Sequence, residues 1–209
     1  MRCLMCGKKK EEGSLRDILL GDDPLCTACR REWESRKIRF RLKGIPVESS
    51  YVYNDAFSRA LIQYKELYDE ALKDIFLYEV RNTLCLRYHG YTLVLMPSAK
   101  EKTAARGFNH LAMMFSSLHM KMADPFEKTT GISQKERTPS MRRQVSHEIV
   151  LKKDISLPEK LLLVDDTITT GATLEAALSW IELRKHKVKI YTVSANYRWL
   201  LHRRSFIAF

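Results

Sequence analysis

The sequence lacks any apolar run long enough to cross a membrane. Its beginning, from Met1 to Cys6, also lacks the apolar core of a secretory signal, so we expect the chain to stay in the cytosol. A length of 209 residues can hold one α/β domain of ordinary size and a small appendage. A hydrophobic content of 45% is enough to fill the core of that domain. These features predict a cytoplasmic protein without membrane insertion.

Cysteine is scarce, with five residues in the chain, but four of them are regularly spaced. Cys3 and Cys6 form one C-x2-C pair, and Cys26 and Cys29 form a second pair after nineteen further residues. This spacing is typical of a four-thiolate structural zinc site. A redox pair or disulfide bonds are the alternatives, although a reducing cytosol disfavours disulfides. Cys85 stands apart in a helical stretch, where we expect a small buried hydrophobe.

A basic stretch follows the second cysteine pair. Residues 30–43 contain seven Lys or Arg against two Glu, in a chain whose formal net charge is +11. This balance favours polyanionic partners such as nucleic acid or phosphate-rich ligands. The alternative is a solvated face, with Trp33 and Phe40 as packing residues. Gly44 and Pro46 indicate a linker, which predicts a zinc module over 1–46 and a second domain over 47–209.

The most informative segment runs from Leu161 to Thr173. It begins with four apolar residues, which have the length and composition of a strand buried in a parallel sheet. Asp165 and Asp166 follow at the carboxyl end of that strand, the edge where open α/β sheets bind ligands. The two carboxylates can accept hydrogen bonds from a vicinal diol, and the threonine-rich loop around Gly171 can hold a phosphate. This arrangement predicts a ribose-phosphate site; the alternative is that an Asp or Thr here only caps a helix.

The remaining pattern also indicates an α/β domain with a parallel central sheet flanked by helices. Further strands are predicted at 93–96 and 188–193, and residues 56–86 are predicted to be mainly helical. A helix after Gly171 is predicted from apolar residues on one face and cations near its end, namely Leu174, Ala177, Leu178, Ile181, Arg184, Lys185 and Lys187. The strand at 93–96 ends at Pro97, after which Lys100 and Arg106 bring positive charge to the same edge. His110 is expected to cap or pack.

These motifs together resemble a known family. Residues 161–173 resemble the phosphoribosyl pyrophosphate (PRPP) signature of type I phosphoribosyltransferases over its whole length. The cysteine pairs, residues 53–62 ahead of Lys65, the turn at 97–100 with Arg106 to Asn109, and this signature occur in the same order in ComF proteins. The resemblance covers the whole chain. It implies a type I phosphoribosyltransferase fold with a small N-terminal zinc-binding module, and a role in DNA uptake during natural transformation.

The resemblance also implies a division of labour at the site. Magnesium would bridge the pyrophosphate and the ribose hydroxyls of PRPP, and an acceptor nitrogen would attack C1. The implied PRPP-binding residues are Asp165, Asp166, Thr167, Thr169, Thr170, Gly171, Ala172, Thr173, Ser98, Ala99 and Lys100, and the implied catalytic residues are Asp165, Asp166, Lys100 and Arg106. The segment 128–153 is expected to close over PRPP as a flap, or else to be a solvated loop. The acceptor is expected to contact the helical region before Leu93 and the segment 197–200, whose aromatic residues either stack on a base or simply pack.

Two classes of function follow. The first is an active phosphoribosyltransferase whose acceptor the sequence does not name. The second is a non-catalytic nucleic-acid-binding or partner-recruiting module of the competence machinery, including a PRPP sensor, because a sensor would keep the same acidic pair. Single-stranded DNA and a ComFA-like helicase are the candidate partners in either case.

Overall fold

A six-stranded sheet forms the centre of the molecule in the computed structural model, which describes residues 2–10, 21–129 and 148–196. Its strand order is β1-β2-β8-β7-β3-β4. The strands are β1 Ser35–Leu42, β2 Ile45–Val52, β3 Thr92–Leu95, β4 Met122–Ala123, β7 Lys160–Ile168 and β8 Lys187–Ala195. All neighbours pair in parallel except the β1–β2 hairpin at one edge. β5 Phe126–Thr129 and β6 Glu148–Leu151 form a separate antiparallel pair.

Strand β7 lies inside the sheet between β3 and β8. Its apolar residues 161–164 are fully buried, which confirms the prediction of a buried parallel strand. The strand is longer than the apolar run, however, because Asp165 and Thr167 continue the register with Thr192 and Ser194 of β8. Both acids therefore lie within the last residues of β7 and not after it. Since side chains alternate along a strand, Asp165 and Asp166 point to opposite faces of the sheet.

The helices are short and surround the sheet. They are α1 Thr27–Arg31, α2 Asp55–Glu66, α3 Arg81–Arg87, α4 Lys100–Arg106, α5 His110–Phe115 and α6 Ala172–Leu178, with 3₁₀ helices at Glu70–Ile75 and Ser116–Leu118. The helical prediction for 56–86 is confirmed. Asn54 caps the amino end of α2, and its side chain accepts a hydrogen bond from the backbone N–H of Phe57. Within the described ranges, no helix has both the length and the apolar character that crossing a membrane requires.

The predicted helix after Gly171 is shorter than expected. Helix α6 ends at Leu178, and the chain then turns so that the buried side chain of Ile181 still reaches the core. Lys187 begins β8. The predicted cluster of cations in the last turn of this helix is therefore wrong, because a periodic apolar face does not determine where a helix stops.

The amino-terminal cysteine region leads directly into the β1–β2 hairpin, which forms one edge of the sheet. The hairpin turns at Lys43 and Gly44, both of which have a positive φ. The predicted boundary at residue 46 falls at the start of β2, directly after this turn. The division into 1–46 and 47–209 stays a prediction.

Candidate active site and metal centre

Asp166 is the most constrained residue at the carboxyl end of β7. Its buried Oδ2 lies 2.8 Å from the Nζ of Lys65 and 2.8 Å from the Nε2 of His110. Burial by itself would raise the pKa of Asp166, but Lys65 and His110 outweigh it and hold the pKa well below its usual range. The Asp166 carboxylate is therefore ionised and anchored to two helices.

Asp165 has the opposite character. It is only partly buried, and its Oδ1 accepts a hydrogen bond from the backbone N–H of Asp166 at 2.9 Å. Desolvation and the negative charge of Asp166 raise the pKa of Asp165 to about 7, although Lys65 and Lys128 act in the other direction. Asp165 can thus exchange a proton near neutral pH, and a cation bound beside it would favour its ionised form.

Arg106 contacts both Lys65 and His110, the two partners of Asp166. It is buried, its Nε donates to the backbone oxygen of Lys65 at 2.8 Å, and its NH1 lies 3.0 Å from the Nδ1 of His110. The guanidinium also lies over the ring of Phe108, 5.9 Å from its centroid. Arg106 therefore braces Lys65 and His110 in this structure, and its contact with a leaving group stays a prediction.

Lys65 and His110 are site residues that were not predicted from the sequence. His110 begins α5, but the cap is Asn109, whose side chain accepts from the backbone N–H of Ala112. Lys65 lies one turn after Leu61 on the buried side of α2, and this placement of a lysine beside an apolar face is the signal that could have found it. The contact with Asp166 spans 101 residues of sequence, so no local pattern encodes it.

The loop after β7 exposes Thr169 and Thr170, while Gly171 is buried. Gly171 has a φ of +83°, and a Cβ at this position would lie 3.1 Å from the Cδ1 of Leu42 in β1. Both the backbone conformation and the close packing therefore require glycine here. The hydroxyls of Thr169 and Thr170 are left at the surface, where a phosphate can reach them.

The other residues predicted for this loop have different surroundings. Ala172 is exposed, and its backbone N–H donates to the Oγ1 of Thr170 at 3.3 Å. Thr173 is partly buried on α6. The hydroxyl of Thr167 lies 2.8 Å from that of Ser194 in β8, so it forms part of the sheet.

A cavity of about 500 Å³ lies between α4 and the β5–β6 pair. Among its lining residues are Pro97, Ser98, Lys100, Thr103, Ala104, Gly107, Phe108, Asn109, Asp124, Phe126, Glu127, Lys128 and Lys152. Two ion pairs cross its wall, Lys100 with Glu127 at 2.7 Å and Lys152 with Asp124 at 2.9 Å. Ala99 precedes the first residue of α4. Because Pro97 and Ser98 follow β3, whose Leu95 pairs with Val164 of β7, the cavity lies at the same edge of the sheet as the acidic pair.

Two further predicted elements fall largely outside the described residues. They are the flap over 128–153, of which residues 130–147 are not described, and the aromatic segment 197–200. The two described ends of the flap segment pair as β5 and β6.

The four regularly spaced cysteines come together as one cluster. The sulfur atoms of Cys3, Cys6, Cys26 and Cys29 all lie within 4.8 Å of one another, and those of Cys6 and Cys26 are 3.7 Å apart. A tetrahedral zinc site with Zn–S bonds of about 2.3 Å places its sulfur atoms about 3.8 Å apart. The cluster therefore fits a metal ion of this kind. Cys85 is separate, and its thiol donates to the backbone oxygen of Leu118.

The thiols of the cluster differ in acidity. Burial opposes ionisation of Cys3, yet hydrogen bonds from backbone groups, including those of Cys26 and Cys6, lower its pKa to about 7. Burial and the neighbouring thiols raise the pKa of Cys29 instead. A metal ion would draw all four sulfurs into the thiolate form.

The cysteine cluster is fastened to the rest of the molecule by Arg30 of α1. Its guanidinium makes two hydrogen bonds to Asp23, at 2.9 and 2.6 Å, and a third to the backbone oxygen of Ile75 at 2.9 Å. It also stacks over Trp33 and Tyr78. Arg30 is thus buried and does not form part of the basic surface that the sequence predicted.

The aromatic residues of the basic stretch also lie inside. Trp33 packs against Tyr51, Phe57 and Phe76, and Phe40 is buried as well. The alternative that Trp33 and Phe40 are packing residues is therefore confirmed.

Comparisons with known proteins agree with this architecture. A family model described as a phosphoribosyl transferase domain matches residues 114–204. The competence protein ComFC of Streptococcus pneumoniae is 25% identical over 207 residues, which cover 87% of this chain and 94% of that protein. ComFC of Bacillus subtilis is 25% identical over 177 residues, covering 84% of this chain and 69% of that protein.

Solved structures with a similar arrangement include two purine phosphoribosyltransferases. Adenine phosphoribosyltransferase of Saccharomyces cerevisiae is 14% identical with a TM-score of 0.39, covering 83% of this chain and 91% of that chain. Hypoxanthine phosphoribosyltransferase of Staphylococcus aureus is 18% identical with a TM-score of 0.38, covering 60% of this chain and 64% of that chain, which is less than two thirds. The curated relatives and the family model confirm the resemblance predicted from the motifs: the chain is similar to ComFC proteins over most of its length, and its second half matches a phosphoribosyl transferase domain, as the predicted fold requires.

Proposed function

We propose that this chain binds PRPP at the carboxyl end of β7 and transfers its phosphoribosyl group to a nitrogenous acceptor. The supporting observation is the partly exposed Asp165 near the carboxyl end of the parallel strand β7, which leads into a loop of exposed threonine hydroxyls. A carboxylate can accept hydrogen bonds from ribose hydroxyls, and the hydroxyls of Thr169 and Thr170 can donate to the 5-phosphate next to them.

The neighbouring cavity has the charge that a pyrophosphate leaving group needs. Lys100, Lys128 and Lys152 line it, against the two acids Asp124 and Glu127. In the proposed reaction the bond between C1 and the pyrophosphate oxygen breaks, its electron pair leaves with pyrophosphate, and the acceptor nitrogen forms the new bond to C1. Positive charge near the departing oxygen stabilises this transition state.

Metal ions have distinct roles in this proposal. Magnesium, when bound with PRPP, would neutralise charge on the pyrophosphate, and Asp165 supplies the oxygen ligand that a hard cation prefers. The cluster of Cys3, Cys6, Cys26 and Cys29 would hold a structural zinc ion, because all four positions of a tetrahedral site are then protein sulfurs.

A specific observation favours a second candidate, a PRPP sensor without turnover. Arg106 is buried against Lys65 and His110, and Lys100 is paired with Glu127. The two cations expected to stabilise the leaving group are therefore engaged by the protein itself. A sensor needs the acidic pair and the threonine loop but does not need these two cations.

We extend the competence role of the two ComFC relatives to this chain as a proposal. Strand β1 exposes Arg36, Lys37, Arg39 and Arg41, which could contact a phosphate backbone. Single-stranded DNA and a ComFA-like helicase are the proposed partners. DNA binding of this kind should weaken steeply as salt concentration rises.

Calorimetric titration with PRPP and magnesium chloride tests the donor site. We expect binding to the unaltered protein, and loss of binding in Asp165→Asn. Glu182→Gln is the matched control, because Glu182 is an exposed acid in an ion pair with Lys185. Equal affinities in all three proteins would overturn the proposed site.

Turnover separates the enzyme from the sensor. Pyrophosphate release is measured with PRPP and a panel of nitrogenous bases and nucleophilic amines. Release that depends on one acceptor class supports the enzyme. Tight PRPP binding with no release for any acceptor supports the sensor.

A further inference from the structure

Four charged or polar side chains from four elements form one continuous chain beside the acidic pair. Arg106 contacts the Nδ1 of His110 at 3.0 Å, and the Nε2 of His110 contacts the Oδ2 of Asp166 at 2.8 Å. Lys65 approaches the same Oδ2 from α2 at 2.8 Å. Arg106, His110 and Asp166 are each at most 6% exposed. A buried polar chain of this length is retained only if its members satisfy one another.

The direction of each hydrogen bond follows from the donors. Arginine has only N–H donors, so the Nδ1 of His110 must accept from Arg106. The proton of the neutral imidazole therefore resides on Nε2 and is donated to Asp166. Lys65 also donates to this oxygen, and Oδ1 of Asp166 is left as the oxygen that neither residue holds.

We propose that Lys65 and His110 are positioning residues for Asp166. They fix the rotamer of the carboxylate by holding its Oδ2, so that Oδ1 is ready to accept a hydrogen bond from a ribose hydroxyl. This inference rests on the proposed function, because PRPP is the ligand that Asp166 would hold. The hydrogen bonds themselves are present without any ligand. Arg106 acts one step further back, because it selects the tautomer of His110 and holds the backbone of Lys65.

The same hydrogen bonds also disfavour protonation of His110. Protonation would place a hydrogen on Nδ1, which already faces an Arg106 donor, and the Ser98 hydroxyl lies 3.4 Å from the same nitrogen. Burial lowers the pKa of His110 most, Asp166 opposes this, and the cations of Lys65 and Arg106 lower it further. Glutamine at this position would offer the same acceptor and the same donor without titrating.

Affinity measurements on matched variants test the function of the hydrogen-bond chain. In His110→Leu and Lys65→Met, Asp166 loses one of its two donors, and we expect PRPP to bind about ten- to a hundredfold more weakly. His110→Gln should bind within about threefold of the unaltered protein, because both hydrogen bonds are restored. His89→Gln controls for the exchange at an exposed histidine, and Lys185→Met for the loss of a lysine from an exposed ion pair. Weakening by His110→Gln equal to that by His110→Leu would overturn the proposal.

Ligand-free NMR distinguishes failure of this inference from failure of the proposed function. Ring ¹⁵N shifts of His110 should show the neutral tautomer with the proton on Nε2, and an Nδ1 proton would overturn the inference whatever PRPP does. If this tautomer is found but PRPP does not bind to the unaltered protein, the proposed function fails and the hydrogen-bond chain stands.

The pH dependence of binding gives a readout that a merely structural role would not change. As pH falls, protonation turns the Nδ1 of His110 from an acceptor into a donor that faces the Arg106 donor, and this breaks the hydrogen-bond chain. Glutamine cannot be protonated in this range. We expect the affinity of the unaltered protein for PRPP to fall more steeply with acid than that of His110→Gln. Identical profiles for the two folded proteins would contradict the proposed role of His110.

Discussion

Replacing Arg30 by alanine is expected to destabilise the whole chain, although Arg30 lies in a stretch of sequence that looks like a solvated basic face. The side chain of Arg30 is 4% exposed, and it joins Asp23 of the cysteine region to the backbone oxygen of Ile75. Its removal breaks three hydrogen bonds and leaves the carboxylate of Asp23 buried, with its side chain 9% exposed and without its arginine partner. The stacking over Trp33 and Tyr78 is lost as well.

The magnitude follows from the burial of this pair. Removing one partner of a buried ion pair typically costs about 3–5 kcal/mol, since the remaining charge has no compensating partner. A domain has a total free energy of unfolding of about 5–15 kcal/mol, so Arg30→Ala should remove a large part of it. For a chain of this size the melting temperature should fall by roughly 10 °C. The free energy of unfolding of Arg30→Lys should lie between those of the unaltered protein and Arg30→Ala, because lysine keeps the charge but cannot make the forked contact.

Urea unfolding followed by circular dichroism, with zinc present throughout, measures this effect. Arg31→Ala is the matched control, because Arg31 is the next residue of the same helix and is exposed. The control should change the free energy of unfolding by less than about 0.5 kcal/mol. A loss below about 1 kcal/mol in Arg30→Ala, or equal losses in both variants, would refute the assigned role of Arg30.

Three further predictions concern other parts of the molecule. Metal analysis should find one zinc ion per chain, lost in Cys26→Ser and retained in Cys85→Ser; equal zinc in both variants would contradict the four-cysteine site. Gly171→Ala should cost about 2 kcal/mol in unfolding free energy and Gly44→Ala about 1 kcal/mol, since both have a positive φ but only the first would also meet a neighbouring side chain; equal costs would show that this contact is unimportant. Because burial and the neighbouring acid raise the pKa of Asp165 to about 7, PRPP with magnesium should bind more weakly as pH falls below 7, and binding should release more protons at pH 6 than at pH 8; equal proton release at the two pH values, measured in buffers of different ionisation enthalpy, would contradict this assignment.

The fold could be predicted where a signal is local and repeated. The apolar run 161–164 specified the buried strand because a strand covered on both faces needs apolar residues at every position. The continuation of β7 through Asp165 and Thr167 could not be predicted in this way, because two consecutive aspartates interrupt the apolar run, aspartate is a poor strand former, and this part of the strand is held by pairing with β8. The end of α6 was missed for a related reason: Ile181 keeps the helical spacing although the helix has already ended.

The candidate site shows the same division between local and distant information. The acidic pair and the threonine loop could be recognised because their residues are contiguous in sequence. The contacts of Lys65 and His110 with Asp166 could not be predicted, because they span 101 and 56 residues of sequence; only the position of Lys65 beside an apolar helix face gave a local signal. Arg30 was misjudged as part of a solvated face because its burial depends on Asp23 and on the oxygen of Ile75, which only the folded chain brings together.

A crystal structure of the protein with PRPP and magnesium would test the proposed donor site. We predict that the ribose lies beside Asp165 and Asp166, with its 5-phosphate against the loop 169–173 and its pyrophosphate toward the cavity that Lys100 and Lys128 line. PRPP bound with its 5-phosphate away from this loop, or the absence of PRPP from crystals grown at saturating concentration, would overturn the proposed site.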